Sequence, residues 1–193
     1  PSDISKIFNI FTIFALFVIA GAILFAKELV VLFTTEAYYG SASFIGILVM
    51  AVFFSHMYIF APGIGIAKKT KIISMISISS AILNTILNYS LIPVFGLSGA
   101  AYATLISAVS TFSLYIIISQ KYYLIPYQAK PILFAFIIVL ISSYGVVSIF
   151  DKIQFISIIV KIVYLLLAVV TTSLLLIEKK HLQKIKLKIG KKY

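Results

Sequence analysis

The chain alternates between long apolar stretches and short polar segments. Each apolar stretch continues for about 20 residues, which is the length that an α-helix needs to cross the hydrocarbon core of a bilayer. None of them shows the alternation of apolar and polar positions that is typical of membrane β-strands. The pattern predicts six transmembrane helices, at about Ile7–Ala26, Ser43–Ala61, Ile72–Ile92, Leu97–Ser119, Pro131–Phe150 and Phe155–Ile177.

The composition indicates a membrane protein. Hydrophobic residues make up 62 % of the chain and charged residues 11 %, whereas soluble domains carry about 25 % charged residues. A water-soluble fold has no means of burying so much apolar surface. We therefore predict an all-α fold, a polytopic transmembrane helical bundle with six spans.

Residue types that mark catalytic or metal sites are scarce. The chain has no cysteine, and its two histidines, His56 and His181, are far apart in sequence. No thiolate or histidine metal site is therefore predicted. The glycines follow no phosphate-binding pattern, and no nucleophile lies near a base and an orienting acid. We predict that the chain is not an enzyme and holds no cofactor.

The basic residues are distributed unevenly between the loops. All 16 are lysines, and the chain has a formal net charge of +11. If the six helices alternate in direction, one side of the membrane receives only Lys27 and Lys152, offset by Glu28, Glu36 and Asp151. The other side receives Lys6, Lys68, Lys69, Lys71, Lys121, Lys130, Lys179, Lys180, Lys184, Lys186, Lys188, Lys191 and Lys192. Because lysine-rich loops remain in the cytoplasm, we predict a cell-membrane protein with both termini of this chain cytoplasmic.

The segment 179–193 is a basic cytoplasmic tail. Leu182, Ile185 and Ile189 recur at helical spacing among its lysines. This spacing is typical of a helix lying on the anionic inner leaflet, and a disordered basic tail is the alternative. Anionic membrane lipids are expected partners because the lysines lie between or after apolar spans. No nucleic-acid partner is predicted.

The third predicted helix carries polar residues on one face. Ser77, Ala81, Asn84 and Asn88 recur at three- and four-residue steps, which place them on the same side of a helix. An asparagine in hydrocarbon needs a hydrogen-bonding partner. We interpret Asn84 and Asn88 either as substrate-binding residues that line a cavity for a hydroxyl-rich substrate, or as hydrogen-bonding residues between helices.

The fourth predicted helix carries small residues on one face. Gly99, Ala103, Ser107 and Thr111 are spaced four residues apart. Small residues at this spacing allow two helix backbones to approach closely. We predict that this face packs against a neighbouring helix.

His56 and Lys161 are ionisable residues within predicted spans. His56 is a candidate coupling residue, because histidine titrates near physiological pH; a neutral packing role is the alternative. Lys161 lies about one and a half turns into the sixth helix. Its ammonium either reaches the outer headgroups or contacts a substrate diphosphate. Lys27 and Glu28, near the outer boundary, are interpreted as a gate, an ion pair or ordinary interfacial residues.

Several short motifs follow one another along the first two thirds of the chain. They are Leu32–Phe33, Glu36–Ala42, Gly63–Lys71, Asn84–Asn88, Leu91–Gly96 and Gly99–Thr104. In this order and spacing, they make the stretch from Ser2 to Gln120 resemble the C-terminal portion of polysaccharide-export flippases of the multidrug/oligosaccharidyl-lipid/polysaccharide exporter superfamily.

The resemblance implies a fold of two six-helix lobes around a central cavity, with two added C-terminal helices in some members. It assigns residues 1–120 to four spans of the C-terminal lobe, 121–178 to two additional spans, and 179–193 to the tail. It implies that a polyprenyl-diphosphate-linked oligosaccharide moves from the cytoplasmic to the outer leaflet by alternating access. The implied process is cell-surface polysaccharide biosynthesis.

Other functions stay open at this point. A cation-coupled multidrug exporter of the same superfamily would need an intramembrane carboxylate, and no predicted span interior contains one. A flippase for the peptidoglycan lipid precursor, a membrane scaffold and an enzyme's membrane anchor are further alternatives. The resemblance also implies a partner, the N-terminal lobe of the same protein. Because the chain begins Pro1-Ser2-Asp3 without methionine, we expect it to be a fragment of a longer protein.

Overall fold

The computed structural model describes residues 2–150 and 154–176, so the predicted tail 179–193 lies outside the described residues. All long secondary-structure elements in this part of the chain are helices, and it contains no β-strand. The helices are α1 Ser2–Leu24, α2 Ala26–Phe33, α3 Ala42–His56, α4 Gly63–Ile66, α5 Thr70–Phe95, α6 Leu97–Tyr122, α7 Ala129–Ile149 and α8 Phe155–Leu176. Short 3-10 turns at Glu36–Ser41 and Met57–Phe60 flank α3.

Within residues 2–150 and 154–176, six helical segments are long and apolar enough to cross a membrane. They are Asp3–Leu24, Glu36–Ile66, Thr70–Phe95, Leu97–Tyr122, Ala129–Ile149 and Phe155–Leu176. Each overlaps one predicted span, which confirms the all-α bundle with six spans. The second span is interrupted, because Ala61 precedes Pro62 and adopts a non-helical φ of −113° and ψ of 61°.

A glycine ends α5. The sequence predicted that the helix ends at about Ile92, before Pro93, but it continues to Phe95. Gly96 then adopts a φ of +59°, and its N–H donates to the Ile92 carbonyl at 2.8 Å. Residues with a side chain rarely adopt this conformation. The turn places α5 and α6 side by side as a helical hairpin.

The first helix forms the centre of the bundle. It packs against α3, α7 and α8, while α6 packs between α3 and α5. Leu16, Ile19 and Ala20 of α1 share one apolar cluster with Met50 of α3 and Phe136 of α7. Because lipid tails are as apolar as these side chains, their contribution inside a membrane comes from close packing rather than from exclusion of water.

The small-residue face of α6 packs as predicted. Gly99, Ala103 and Ser107 are buried, and a methyl group on Gly99 would lie 2.3 Å from the backbone carbonyl oxygen of Leu91 in α5. One step further along the same face, Thr111 donates a hydrogen bond to Ser80 of α5 at 2.6 Å. The prediction of a close helix contact is therefore confirmed, and the partner is α5.

The helices alternate in direction, so the bundle has two distinct ends. At the end that carries α2, Glu28 contacts Lys161 near the start of α8. At the opposite end, Asn9 near the start of α1 donates to the carbonyl of Leu176 at the end of α8, at 3.4 Å. We call these the α2 end and the Lys68 end, the latter after the lysine that precedes α5.

Candidate functional site

A cavity of about 370 Å³ opens at the α2 end of the bundle. Its walls come from α1, α2, α3, α7, α8 and the turn before α3. The lining residues are Ile23, Leu24, Ala26, Lys27, Tyr39, Gly40, Ala42, Ser43, Gly46, Tyr144, Val147 and Lys161. A volume of this size lies within the range of about 300–1,000 Å³ that is usual for small-molecule sites.

An ion pair lies beside this cavity. The Lys161 ammonium donates to Glu28 Oε1 at 2.5 Å, and the Lys161 side chain is only 2 % exposed against 16 % for Glu28. The ammonium also lies 5.9 Å from the centre of the Phe25 ring, within cation–π range. Lys161 therefore has Glu28 as a partner within the bundle, a pairing that the sequence did not predict, and its role in contacting a substrate diphosphate stays a prediction.

The local folding of the chain brings these two charges together. The chain turns at Phe25, which has a φ of −106° and a ψ of 11°, and α2 then begins as a separate helix. α2 packs against α3 and carries Glu28 in its first turn. Lys161 lies in the second turn of α8, which packs against α1. The two residues are 133 positions apart in sequence, and the only sequence signal for their pairing is that both fall near the same membrane boundary.

The ion pair makes burial of Lys161 tolerable. A lysine at the centre of a spanning helix costs about 2.5–3.5 kcal/mol on insertion scales; Lys161 lies nearer the helix end, where the cost is smaller, and a carboxylate within hydrogen-bonding distance offsets it. Glu28 Oε2 is buried and has no hydrogen-bond partner among the described residues. The pair therefore retains one acceptor oxygen that a proton, a cation or a water can use.

The structure places Asn84 and Asn88 elsewhere, on α5. Asn88 Nδ2 donates to Asn84 Oδ1 at 2.9 Å, so the two amides bond to each other within one helix. Both are half-buried at the edge of the contact with α6, while Ser77 and Ala81 on the same side are exposed. Their substrate-binding role stays a prediction.

His56 lies at the other end of α3 from the cavity. Its Nδ1 is 2.8 Å from the carbonyl oxygen of Val52 in the same helix, and the side chain is exposed. Since a carbonyl oxygen only accepts, this contact holds the proton on Nδ1. His56 is thus not part of the α2-end cavity, and its coupling role stays a prediction.

Hydrogen bonds also organise the loop between α6 and α7 at the Lys68 end. The Gln120 side chain bonds both the N–H and the carbonyl of Ile125, at 2.9 Å and 2.8 Å. Tyr127 donates its hydroxyl to the carbonyl of Phe60. Burial raises the pKa of Tyr127 to about 12. These contacts attach the loop to the end of the second span.

We expect Tyr127→Phe to change the alkaline stability profile. The unfolded chain releases this proton near the ordinary tyrosine pKa of 10.0, and the folded chain releases it at about 12. The contribution of the phenol is therefore complete below pH 10 and is lost as the pH rises through the folded pKa. The difference in unfolding free energy between the two proteins in detergent should be constant below pH 10 and should decrease as the pH rises from 10 to about 12. Tyr122→Phe, an exposed control, should match the parent protein, and identical profiles for all three would contradict the assignment.

The six apolar helices of the described residues define an all-α, multi-pass membrane protein. No protein-family model, curated protein or solved structure matches this chain.

Proposed function

We propose that this chain is part of a membrane flippase. It moves a polyprenyl-diphosphate-linked oligosaccharide from the cytoplasmic to the outer leaflet by alternating access, as the ordered motifs between Ser2 and Gln120 imply. The flippase contains a further lobe, which faces these six spans across the transport path. The product serves cell-surface polysaccharide biosynthesis.

The observation that carries this proposal is the uncovered side of α5. In its most apolar segment, 6 % of the residues are buried, against 44 % in α1. Among the described helices, α5 packs against α6 and α4. Its uncovered side carries the hydroxyls of Ser74, Ser77 and Thr85 among exposed apolar side chains. A spanning helix whose uncovered side carries several polar groups suits a position beside a cavity between two lobes.

The polar groups of α5 retain hydrogen-bonding capacity for a sugar. Ser77 and Thr85 donate to carbonyls one turn earlier, at 3.0 Å and 2.9 Å, which leaves their oxygen lone pairs as acceptors. The bond between Asn88 and Asn84 uses one donor and one acceptor. The remaining amide N–H groups and the Asn88 oxygen can bond to sugar hydroxyls. This match supports a hydroxyl-rich substrate.

Transport of the glycolipid tests the function directly. In cells that depend on the whole protein, its depletion should leave lipid-linked sugar in the cytoplasmic leaflet, measured by accessibility to an impermeant glycan-modifying enzyme. Replacing Asn84 and Asn88 together by leucine should slow transfer about tenfold, because two or three hydrogen bonds of about 0.6 kcal/mol each are lost. Ser90→Ala, on the same helix and exposed, is the control. Normal outer-leaflet delivery after depletion, with no redundant carrier, would reject the proposal.

The lysine distribution supports an orientation with the Lys68 end in the cytoplasm of a cell membrane. Lys6, Lys68, Lys69, Lys71, Lys121 and Lys130 all lie at that end. Because the chain has no cysteine, single introduced cysteines report the side without background. Thr70→Cys should react with an impermeant maleimide only from the cytoplasm, and Ser98→Cys only from outside. The reverse labelling would invert the orientation and the direction of transport.

Glu28 favours a second candidate, a cation-coupled exporter of the same superfamily. Its carboxylate is largely buried, and its Oε2 lacks a hydrogen-bond partner among the described residues. Buried carboxylates in transporters commonly exchange protons or sodium. The glycolipid assay separates the two candidates, because a multidrug exporter would leave the glycolipid distribution unchanged on depletion and make cells sensitive to cationic drugs.

A further inference from the structure

The described helices form two groups that meet along one contact. In the first group, α3 packs against α2 and α6, and α6 packs against α4 and α5. In the second group, α1 packs against α7 and α8. The two groups contact each other mainly where α1 packs against α3, and we call this contact the joint. A movement along the joint would leave the packing inside each group intact.

Aromatic rings fill the half of the joint that lies toward the Lys68 end. The ring centre of Phe53 in α3 lies 5.9 Å from that of Phe11 in α1 and 5.7 Å from that of Phe136 in α7. Phe8 of α1 and Phe60 after α3 lie 5.3 Å apart by the same measure. Rings at these separations attract each other beyond the contribution of their contact area. This half of the joint therefore holds the two groups together.

A loop crosses the joint at the same end. It is the segment Tyr123–Gln128 between α6 and α7, and we call it the strap. Tyr127 donates to the carbonyl of Phe60 in the first group. Ser5 of α1, in the second group, donates to the carbonyl of Pro126 at 2.8 Å. The strap thus binds an element of each group at the place where the groups meet.

The half of the joint toward the α2 end contains the cavity and an ion pair. The α2-end cavity is lined from both groups, for example by Gly46 of α3 and Val147 of α7. Glu28 lies on α2 in the first group and Lys161 on α8 in the second, so their contact at 2.5 Å crosses the joint beside the cavity. A charge-assisted hydrogen bond is strong and directional, whereas apolar side chains in a membrane gain little by leaving the lipid for each other.

We propose that the joint is a hinge. The rings and the strap hold the two groups together at the Lys68 end, and the pair of Glu28 and Lys161 is a latch that keeps the α2-end cavity narrow. When the latch is released, the groups move apart at the α2 end and the cavity of about 370 Å³ widens. Hinge movements of this kind confine the change to a few contacts while the packed parts stay rigid. The inference does not rest on the proposed transport function.

Distances between pairs of spin labels test the hinge in the full chain, reconstituted in lipid nanodiscs. Because the chain has no cysteine, introduced cysteines carry the labels without background. Leu97→Cys with Ile149→Cys reports the α2 end, and Ile66→Cys with Leu133→Cys reports the Lys68 end. All four positions are exposed, and each pair places one label on each group. Pulsed electron paramagnetic resonance measures both distances.

Glu28→Leu with Lys161→Met removes the latch without leaving an unpaired charge. We expect a longer distance between the α2-end labels to gain population, with its ratio to the parent distance raised about tenfold or more, the effect of one hydrogen bond between charged groups. The Lys68-end distance should not change. Ser5→Ala with Tyr127→Phe loosens the strap and should lengthen the Lys68-end distance instead. Lys71→Met, exposed on α5, is the control and should change neither distance.

Two results would overturn the hinge. One is a latch variant that folds and keeps the parent distance at the α2 end. The other is a latch variant in which both distances lengthen together, because the groups would then separate as a whole instead of turning about the strap. Size-exclusion profiles and melting temperatures identify any variant that does not fold. Glu28→Gln with Lys161→Gln, which keeps polar side chains at both positions, replaces a latch variant that fails this test.

Discussion

Lys161→Met should destabilise the bundle by about 3 kcal/mol. Removing one partner of a buried ion pair leaves the other charge buried and unpaired, which typically lowers the free energy of unfolding by about 3–5 kcal/mol. Glu28 retains 16 % exposure, and water can approach it, so the lower end of the range is expected. Methionine has nearly the length of lysine, so the loss reports charge rather than packing. Equilibrium unfolding in mixed micelles measures the effect.

The double change Glu28→Leu with Lys161→Met separates the ion pair from other effects. Well-packed apolar residues often replace a buried ion pair without loss of stability. The double variant should therefore be about as stable as the parent, which gives a large coupling energy in a double-mutant cycle. Lys71→Met at the exposed start of α5 should have little effect. Additive single changes, with no coupling, would show that Lys161 and Glu28 do not interact in the folded protein.

Gly99→Ala should disrupt the hairpin of α5 and α6. The added methyl group would lie 2.3 Å from the Leu91 carbonyl oxygen and 2.9 Å from the backbone nitrogen of Ile92. These are backbone atoms, which cannot rotate away as a side chain does, so the two helices must separate. Overpacking of this kind costs about 1–3 kcal/mol. The accumulated level of folded protein and its melting temperature in detergent report the loss.

Gly145→Ala is the matched control for this substitution. Gly145 lies within α7, and a methyl group there would have nothing within 4 Å. Because alanine favours a helix by about 1 kcal/mol over glycine, this variant should be neutral or more stable. Ala103→Leu, on the same face of α6 at a position with no exposed surface, should reproduce the effect of Gly99→Ala. Equal stability of all three variants would show that α5 and α6 do not pack through this face.

The consequences of these predictions for function differ. The contact through Gly99 holds α5 beside α6, so its loss would displace the uncovered side of α5 on which the flippase proposal rests. The pair of Glu28 and Lys161 lies at the α2 end, away from Asn84 and Asn88. A variant that lacks the ion pair but folds should keep the α5 face. The role of the ion pair and that of the α5 face can therefore be tested independently.

The amino-acid sequence by itself determined the number of spans, the helical class and the packing face of α6. A continuous apolar segment that crosses a membrane satisfies its backbone hydrogen bonds within itself by forming a helix. The four-residue spacing of Gly99, Ala103 and Ser107 places them on one side of any α-helix, whatever surrounds it. These features depend on residues that are close in sequence, which is why pattern alone predicted them.

The tertiary structure decided which distant groups meet. Glu28 and Lys161 form an ion pair across 133 positions, and the cavity beside them gathers residues from five helices and a turn. Their meeting depends on the break at Phe25 and on the packing of α8 against α1, and no local periodicity encodes either. Asn84 and Asn88 show the converse, because their spacing implied a shared face but not that the two amides bond to each other. Spacing along a helix defines a direction, and only packing defines what lies in that direction.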